Sequence, residues 1–166
     1  MVRAIRTAKA VADGLHASIQ LNAELHEVGG IYLDDETSGT RQGRTGKTRD
    51  EFSSLFPGLD LPDWVRPEGW WNRPYETWEQ GIERGRRAAE EVIARCEEEK
   101  TAIMVVSHNA FFQCFLRGLV KGDWPRDCWF LMQNSAISRF SLPQAGRVDV
   151  RYLNWTAHLP ASLLTM

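Results

Sequence analysis

Three kinds of side chain that can handle a phosphate group occur at separate places in this sequence. His108 follows the apolar run 102–106, Glu27 precedes a pair of glycines, and Arg3 and Arg6 lie close to the first residue. A guanidinium binds phosphate oxygens bidentately, and an imidazole can act as a nucleophile. A carboxyl group can protonate a leaving oxygen. Together these residue types suit phosphoryl transfer or phosphate-ester hydrolysis.

The position of His108 is the most informative of these. Residues 102–106 (AIMVV) form a short run rich in β-branched residues, which predicts a buried strand of a parallel sheet. Apolar residues then recur at helical spacing over 111–120, which predicts a helix. Ligand crevices of open α/β sheets lie at such strand ends, and helix N-termini favour anions. A histidine that only caps the helix or bonds a loop is the alternative.

The rest of the chain must position these residues, and its patterns predict both helices and strands. The predicted helices cover 2–14, 48–56 and 76–99; short strands are predicted at 19–21, 136–142 and 148–153; and 34–50 is predicted to be loop. On the long helix, Arg84 and its charged neighbours are predicted to form a solvated face.

Composition restricts the function. The 166 residues suit one domain, 1–166, and 43% of them are apolar, as in globular proteins. The net charge of −2 gives no general attraction to nucleic acid or anionic lipid, and no apolar run reaches the roughly 20 residues of a membrane helix. Three scattered cysteines predict neither a disulfide framework nor a zinc site, and they favour a reducing, cytoplasmic location. We expect no cofactor and no metal.

Several catalytic motifs are excluded by spacing. GTRQGRTGKT resembles a P-loop, but that pattern requires glycine at position 41, which is arginine, and no buried strand precedes it. The nucleophile elbow GxSxG and the zinc motif HExxH are both absent from the sequence.

Five segments, in order along the chain, resemble motifs of the histidine phosphatase superfamily, the phosphoglycerate-mutase-like enzymes. Residues 1–8 (MVRAIRTA) resemble its RAxxTA segment, and 25–30 (LHEVGG) resemble its acid-bearing LxExxG turn. Residues 105–108 (VVSH) resemble its second-histidine motif, 134–139 (NSAISR) its NxSIxR strand, and 154–160 (NWTAHLP) its closing NxxxHLP. The resemblance implies an α/β fold: a three-layer α/β/α sandwich around a mostly parallel sheet.

The resemblance also implies a role for individual residues. Arg3 would bind the phosphoryl group of a small-molecule phosphate ester, and His108 would stabilise that group during transfer. Glu27 would donate a proton to the leaving oxygen. Asn109 stands where the family usually has glycine, and its side chain would crowd or contact the phosphate.

One departure from the family pattern bears on catalysis. The family's nucleophile is the histidine of an RHG triplet on the first strand, and the 166 residues contain no such triplet. We therefore expect an N-terminally truncated domain, poorly stable alone, from a phosphatase that works through a phosphohistidine. Its short, single-domain layout favours a phosphatase over a mutase.

Two other functions stay open. The first is a non-catalytic, phosphate-binding relative, which the missing nucleophile and Asn109 favour. The second is an interaction module built on Trp64, Trp70 and Trp71, although packing of these rings on the long helix or at the substrate mouth fits them better. The oligomeric state cannot be read from the sequence.

The 166-residue chain is expected to form no covalent phosphohistidine, because none of its four histidines follows an arginine and precedes a glycine. Incubation with a phosphate ester, followed by mass spectrometry under alkaline conditions that preserve phosphohistidine, checks this. A stable phosphohistidine on this chain would contradict it.

Overall fold

The computed structural model describes residues 1–164 and contains both helices and strands. Its α-helices are α1 (Val2–Leu15), α2 (Arg49–Leu55), α3 (Trp78–Glu99) and α4 (Asn109–Leu119). Its strands are β1 (Tyr32–Asp35), β2 (Thr40–Gly43), β3 (Ile137–Gln144) and β4 (Arg147–Trp155), and short 3₁₀ turns occupy Ala23–Leu25 and Ala161–Leu163. Within 1–164, no helix has the length and apolar character needed to cross a bilayer.

The predicted helices are confirmed, and local sequence explains where two of them begin. The hydroxyls of Thr48 and Thr77 each accept a hydrogen bond from the backbone N–H of the third residue of the following helix, and the side-chain oxygen of that third residue accepts one from the backbone N–H of the threonine. This capping box satisfies backbone N–H groups that a helix start leaves unpaired. The strands predicted at 136–142 and 148–153 are also present, as the antiparallel pair β3–β4.

The sandwich around a mostly parallel sheet is not confirmed among residues 1–164, where both sheets are antiparallel pairs. The runs 102–106 and 19–21, both predicted to be strands, have no strand assignment. Neither run makes a backbone–backbone hydrogen bond to the described residues. An apolar run becomes a strand only when a neighbouring strand supplies those bonds, and periodicity alone cannot guarantee one.

The prediction that 34–50 is loop was wrong for its first part. Residues 32–43 form the β1–β2 hairpin, with Tyr32 opposite Gly43 and Asp35 opposite Thr40. The Asp35 carboxylate accepts hydrogen bonds from the backbone of Thr37 and from both the backbone and hydroxyl of Ser38. An aspartate that bonds the backbone two residues later stabilises a tight turn, so polar residues here close a hairpin.

Two apolar clusters form the core. The first joins α1 and α2 to the segment after α2, and contains Ile5, Phe52, Phe56, Leu61, Val65, Trp70 and Trp71. The second joins α3 to α4 through Ala88, Ala89, Phe111, Phe115 and Leu119. Trp70 and Trp71 therefore pack in the cluster of α1 and α2 rather than in that of α3 and α4, and their expected alternative place at a substrate mouth stays a prediction. The Arg49 guanidinium donates to three backbone carbonyls of residues 61–65 and so fixes this segment on α2.

The close packing of α3 on α4 depends on glycine. A Cβ at Gly85 would lie 2.4 Å from the backbone carbon of Cys114, which is too close for any real contact. Cys114 is fully buried at this crossing, and burial raises the pKa of its thiol to about 12. Because α4 begins directly after His108, this contact also sets the position of the histidine.

Gly85→Ala is expected to lower the free energy of unfolding by about 1 to 3 kcal/mol, because the added methyl must push the two helices apart. The matched control is Gly14→Ala in α1, where no atom lies within 4 Å of the added Cβ. That change should alter stability by less than about 1 kcal/mol, in the stabilising direction. Urea unfolding measures both. Equal stability of the two variants would show that the crossing is not tight.

Candidate functional site

Arg3 and His108 are in direct contact. Nε of Arg3 donates a hydrogen bond to Nδ1 of His108 at 3.3 Å, although the residues are 105 positions apart. Helix α1 supplies the arginine from its first turn, and the histidine stands at the N-cap of α4. The structure therefore brings together the two residues that the sequence analysis placed on either side of a phosphoryl group.

The contact with Arg3 fixes the protonation pattern of His108. Because Nδ1 accepts a hydrogen bond, the proton of the neutral ring lies on Nε2. Nε2 is buried and has no hydrogen-bond partner among residues 1–164. Burial, followed by the nearby α-ammonium of Met1 and the Arg3 guanidinium, lowers the pKa of His108 to about 4. The ring is thus neutral near pH 7 and presents an unpaired N–H donor.

Glu27 lies against the start of the same helix. Its Oε1 accepts hydrogen bonds from the backbone N–H of Val28 and of Phe111, both at 2.9 Å. Phe111 is the third residue of α4, where backbone N–H groups lack helical partners and favour a negative charge. The carboxylate of Glu27 is therefore fixed within the first turn after His108.

Two side chains from other elements support the turn that carries Glu27. The Ser107 hydroxyl donates to the backbone carbonyl of Leu25 at 2.6 Å, which joins the histidine segment to the acid turn. Arg84 on α3 donates through Nη1 to the carbonyls of Glu24 and His26. The same guanidinium binds both carboxylate oxygens of Glu76, at 2.6 and 2.7 Å.

The sequence analysis missed this role of Arg84, which it assigned to a solvated face. The side chain is only 2% exposed. A signal was available: Arg84 follows Gly81 by three positions and precedes Ala88 by four, so it falls on the stripe of small, buried residues of α3. The charge of Arg84 alone predicted a solvent-exposed side chain, whereas its position on the helix indicated a buried one.

His26 is also buried, at 2% exposure, beside the acid turn. Its Nδ1 lies 2.6 Å from the backbone carbonyl of Glu27, and its ring packs edge-on against Trp71. Burial, and then the charge of Arg84, lower the pKa of His26 to about 4. Gly30 allows this packing, since a Cβ there would lie 2.0 Å from the indole of Trp71.

Asn109 is exposed at the first position of α4, directly after His108. Its Oδ1 accepts a hydrogen bond from Nε2 of Gln113 at 3.3 Å, one turn along the helix. The side-chain oxygen of Asn109 is thus engaged within α4, and a contact of Asn109 with phosphate stays a prediction.

One groove of the described chain lies next to this polar cluster and is largely apolar. An apolar groove of about 170 Å³ lies between α1 and the segments 17–22 and 104–106. Of the four predicted site residues, only His108 lines it. Apolar walls cannot solvate a phosphate dianion, so the polar cluster is the better phosphate site. Residues 1–164 hold no group of three or more His, Cys, Asp or Glu side chains arranged to bind a metal ion.

Comparison with known families gives one match. A family model described as histidine phosphatase superfamily (branch 1) matches residues 1–156, which is nearly the whole chain. The resemblance drawn from five short motifs is thereby confirmed. No curated protein and no solved structure matched this sequence.

Stability is expected to fall as the pH is lowered from 6.5 to about 4, because His26 and His108 both have lowered pKa values in the folded chain. In this window the unfolded chain binds more protons than the folded one, so the free energy of unfolding rises with pH and is lost on acidification. His108→Asn keeps an acceptor for Arg3 but cannot titrate there. Urea unfolding across this pH range should give a shallower slope for the variant. An unchanged slope would show that His108 does not titrate in this way.

Proposed function

Because the chain belongs to the histidine phosphatase superfamily, we propose that it binds small phosphorylated substrates at the Arg3–His108 pair and serves the hydrolysis of phosphate monoesters. Arg3 and His108 hold the phosphoryl group, and Glu27 donates the proton to the leaving oxygen. The hydrogen bond between Arg3 and His108 is the single observation that carries this proposal.

The donors around this pair suit a phosphoryl group. Arg3 uses only Nε for His108, so among residues 1–164 its two Nη groups have no hydrogen-bond partner. Nε2–H of His108 is likewise unpaired within that part of the chain. The N–H groups of Asn109 and Ala110 begin α4 and donate to no described residue. These donors share one sign of partial charge, which supports binding of an anion and of the charge that grows during transfer.

The position of the Glu27 carboxyl group supports its proposed role as the general acid. Oε1 accepts both backbone hydrogen bonds, so Oε2 is the oxygen that can carry the proton. A general acid must lie within hydrogen-bond reach of the leaving oxygen, and the anchoring of Glu27 to α4 keeps its carboxyl group beside the phosphoryl donors. The leaving alcohol would then depart on the side of Glu27, with the phosphoryl group held by Arg3 and His108.

Hydrolysis through a phosphohistidine also needs a nucleophilic histidine, which the family places in an RHG triplet that these 166 residues do not contain. We therefore propose catalysis for a protein that combines such a histidine with the residues described here. In that protein, 102–106 would be a strand of the parallel sheet in a three-layer sandwich. The missing triplet favours a second candidate for the 166-residue chain itself, which is phosphate binding without turnover.

Arg3→Ala and His108→Ala are each expected to weaken binding of inorganic phosphate by about tenfold or more, because each removes a hydrogen bond to a charged group. The matched control is Lys9→Ala, which removes a positive charge from α1 at a residue paired with Asp13. Isothermal titration calorimetry at fixed salt measures all four proteins. Equal affinity of Arg3→Ala and Lys9→Ala would refute the site.

A measurement of phosphate-ester turnover distinguishes the proposed phosphatase from the proposed phosphate-binding protein. Release of p-nitrophenol from p-nitrophenyl phosphate is measured for two proteins. The first is the 166-residue chain, and the second is a longer protein that also includes any residues encoded in frame upstream of Met1. Activity in the longer protein that Glu27→Gln reduces would support the phosphatase. Phosphate binding without turnover in either protein would support the binding protein.

A further inference from the structure

We propose that His26 is a positioning residue whose Nδ1–H fixes the backbone of Glu27 and thereby the place of the Glu27 carboxyl group. The proposal rests on the proposed function for what that carboxyl group does, but the placement itself can be measured without substrate. Neither the family motif nor the proposed mechanism assigns a role to this histidine.

The direction of the hydrogen bond follows from its partner. Nδ1 of His26 lies 2.6 Å from the backbone oxygen of Glu27, and a carbonyl oxygen can only accept. The hydrogen of the neutral ring is therefore on Nδ1, and Nε2 carries a lone pair. Nε2 makes no hydrogen bond to residues 1–164. The bond to Glu27 is thus the one that the ring makes within this part of the chain.

The side chains around His26 favour the ring orientation in which Nδ1 faces the carbonyl of Glu27. Trp71 packs edge-on against it with ring centroids 4.6 Å apart. Oε1 of Glu76 is 4.0 Å from Nε2, but that oxygen already accepts a hydrogen bond from Arg84 at 2.6 Å. Arg84 also holds the backbone carbonyl of His26. Contacts with Trp71 and Arg84 therefore hold the ring and the backbone of His26 in place, in addition to the hydrogen bond to Glu27.

The carbonyl that His26 binds closes the turn that carries the acid. The oxygen of Glu27 also accepts the backbone N–H of Gly30 at 3.1 Å, so two donors hold it. From the same residue, Oε1 reaches the N–H of Phe111 at 2.9 Å. If the hydrogen bond from His26 is lost, the turn can rotate about Glu27, and the Glu27 carboxyl group loses its alignment with the start of α4. The ring of His26 acts on the site only through this backbone.

A purely structural histidine would only fill space beside Trp71, and two substitutions separate the roles. His26→Phe keeps an aromatic ring against Trp71 but removes the N–H. His26→Asn loses the ring but places an amide N–H where Nδ1 lies. Glu27→Ala defines the state in which Phe111 has no carboxylate partner.

The readout is hydrogen exchange of single backbone amides in the 166-residue chain, followed by NMR without phosphate. The amide of Phe111 reports on the Glu27 carboxyl group. The amide of Phe112 donates to the carbonyl of His108 within α4 and serves as the internal reference. We expect His26→Phe to speed exchange at Phe111 by about tenfold or more, as Glu27→Ala does, because a hydrogen bond to a carboxylate is lost. His26→Asn should restore exchange at Phe111 to near the unmodified rate.

Every other result overturns the proposal. Normal exchange at Phe111 in His26→Phe would show that the N–H is not needed. Fast exchange at Phe111 in both variants would show that the ring packing matters instead, and fast exchange at Phe112 as well would show a general structural role. Because none of these measurements uses phosphate, their failure is distinct from failure of the phosphate-binding experiment.

Discussion

The buried ion pair of Arg84 and Glu76 is the constraint on which the rest of the site depends. Burial of a charge is costly unless it is paired and hydrogen-bonded, and here the guanidinium binds both carboxylate oxygens and two backbone carbonyls. Loss of one partner from such a pair typically costs about 3 to 5 kcal/mol, because the other charge stays buried. The turn that carries Glu27 is thereby attached to α3, against which α4 also packs.

The residues of the proposed site come from three segments, and α3 holds two of them, the turn that carries Glu27 and the helix α4. Helix α1 brings Arg3, the turn brings Glu27, and α4 begins at His108. The Arg3 guanidinium contacts His108, and the Glu27 carboxyl group accepts the N–H of Phe111 in the first turn of the same helix, α4. An anion bound beside Arg3 and His108 would lie near the Glu27 carboxyl group, which under our proposal protonates the leaving oxygen.

Local sequence signals predicted much of this structure. The helical period of α3 and α4 and the strand pattern of β3 and β4 each depend on residues within one element, so periodicity found them. The parallel strand predicted at 102–106 is absent from residues 1–164, because a strand needs a neighbouring strand that no local pattern can guarantee. For the proposed site, the motifs indicated Arg3, Glu27 and His108. Helical position could have predicted that Arg84 is buried, but the backbone carbonyls that Arg84 and His26 bind carry no sequence signature.

The separation of Arg3 from His108 has a consequence for folding order. Contacts between distant residues form only after a long loop has closed, and this closure costs chain entropy that near-neighbour contacts avoid. The β1–β2 hairpin and the α3–α4 pair can assemble from adjacent stretches, whereas the arginine and the imidazole, 105 positions apart, must wait for the chain to collapse. The contact between Arg3 and His108 is therefore expected to be among the last features to form, so its formation would report completion of the native state.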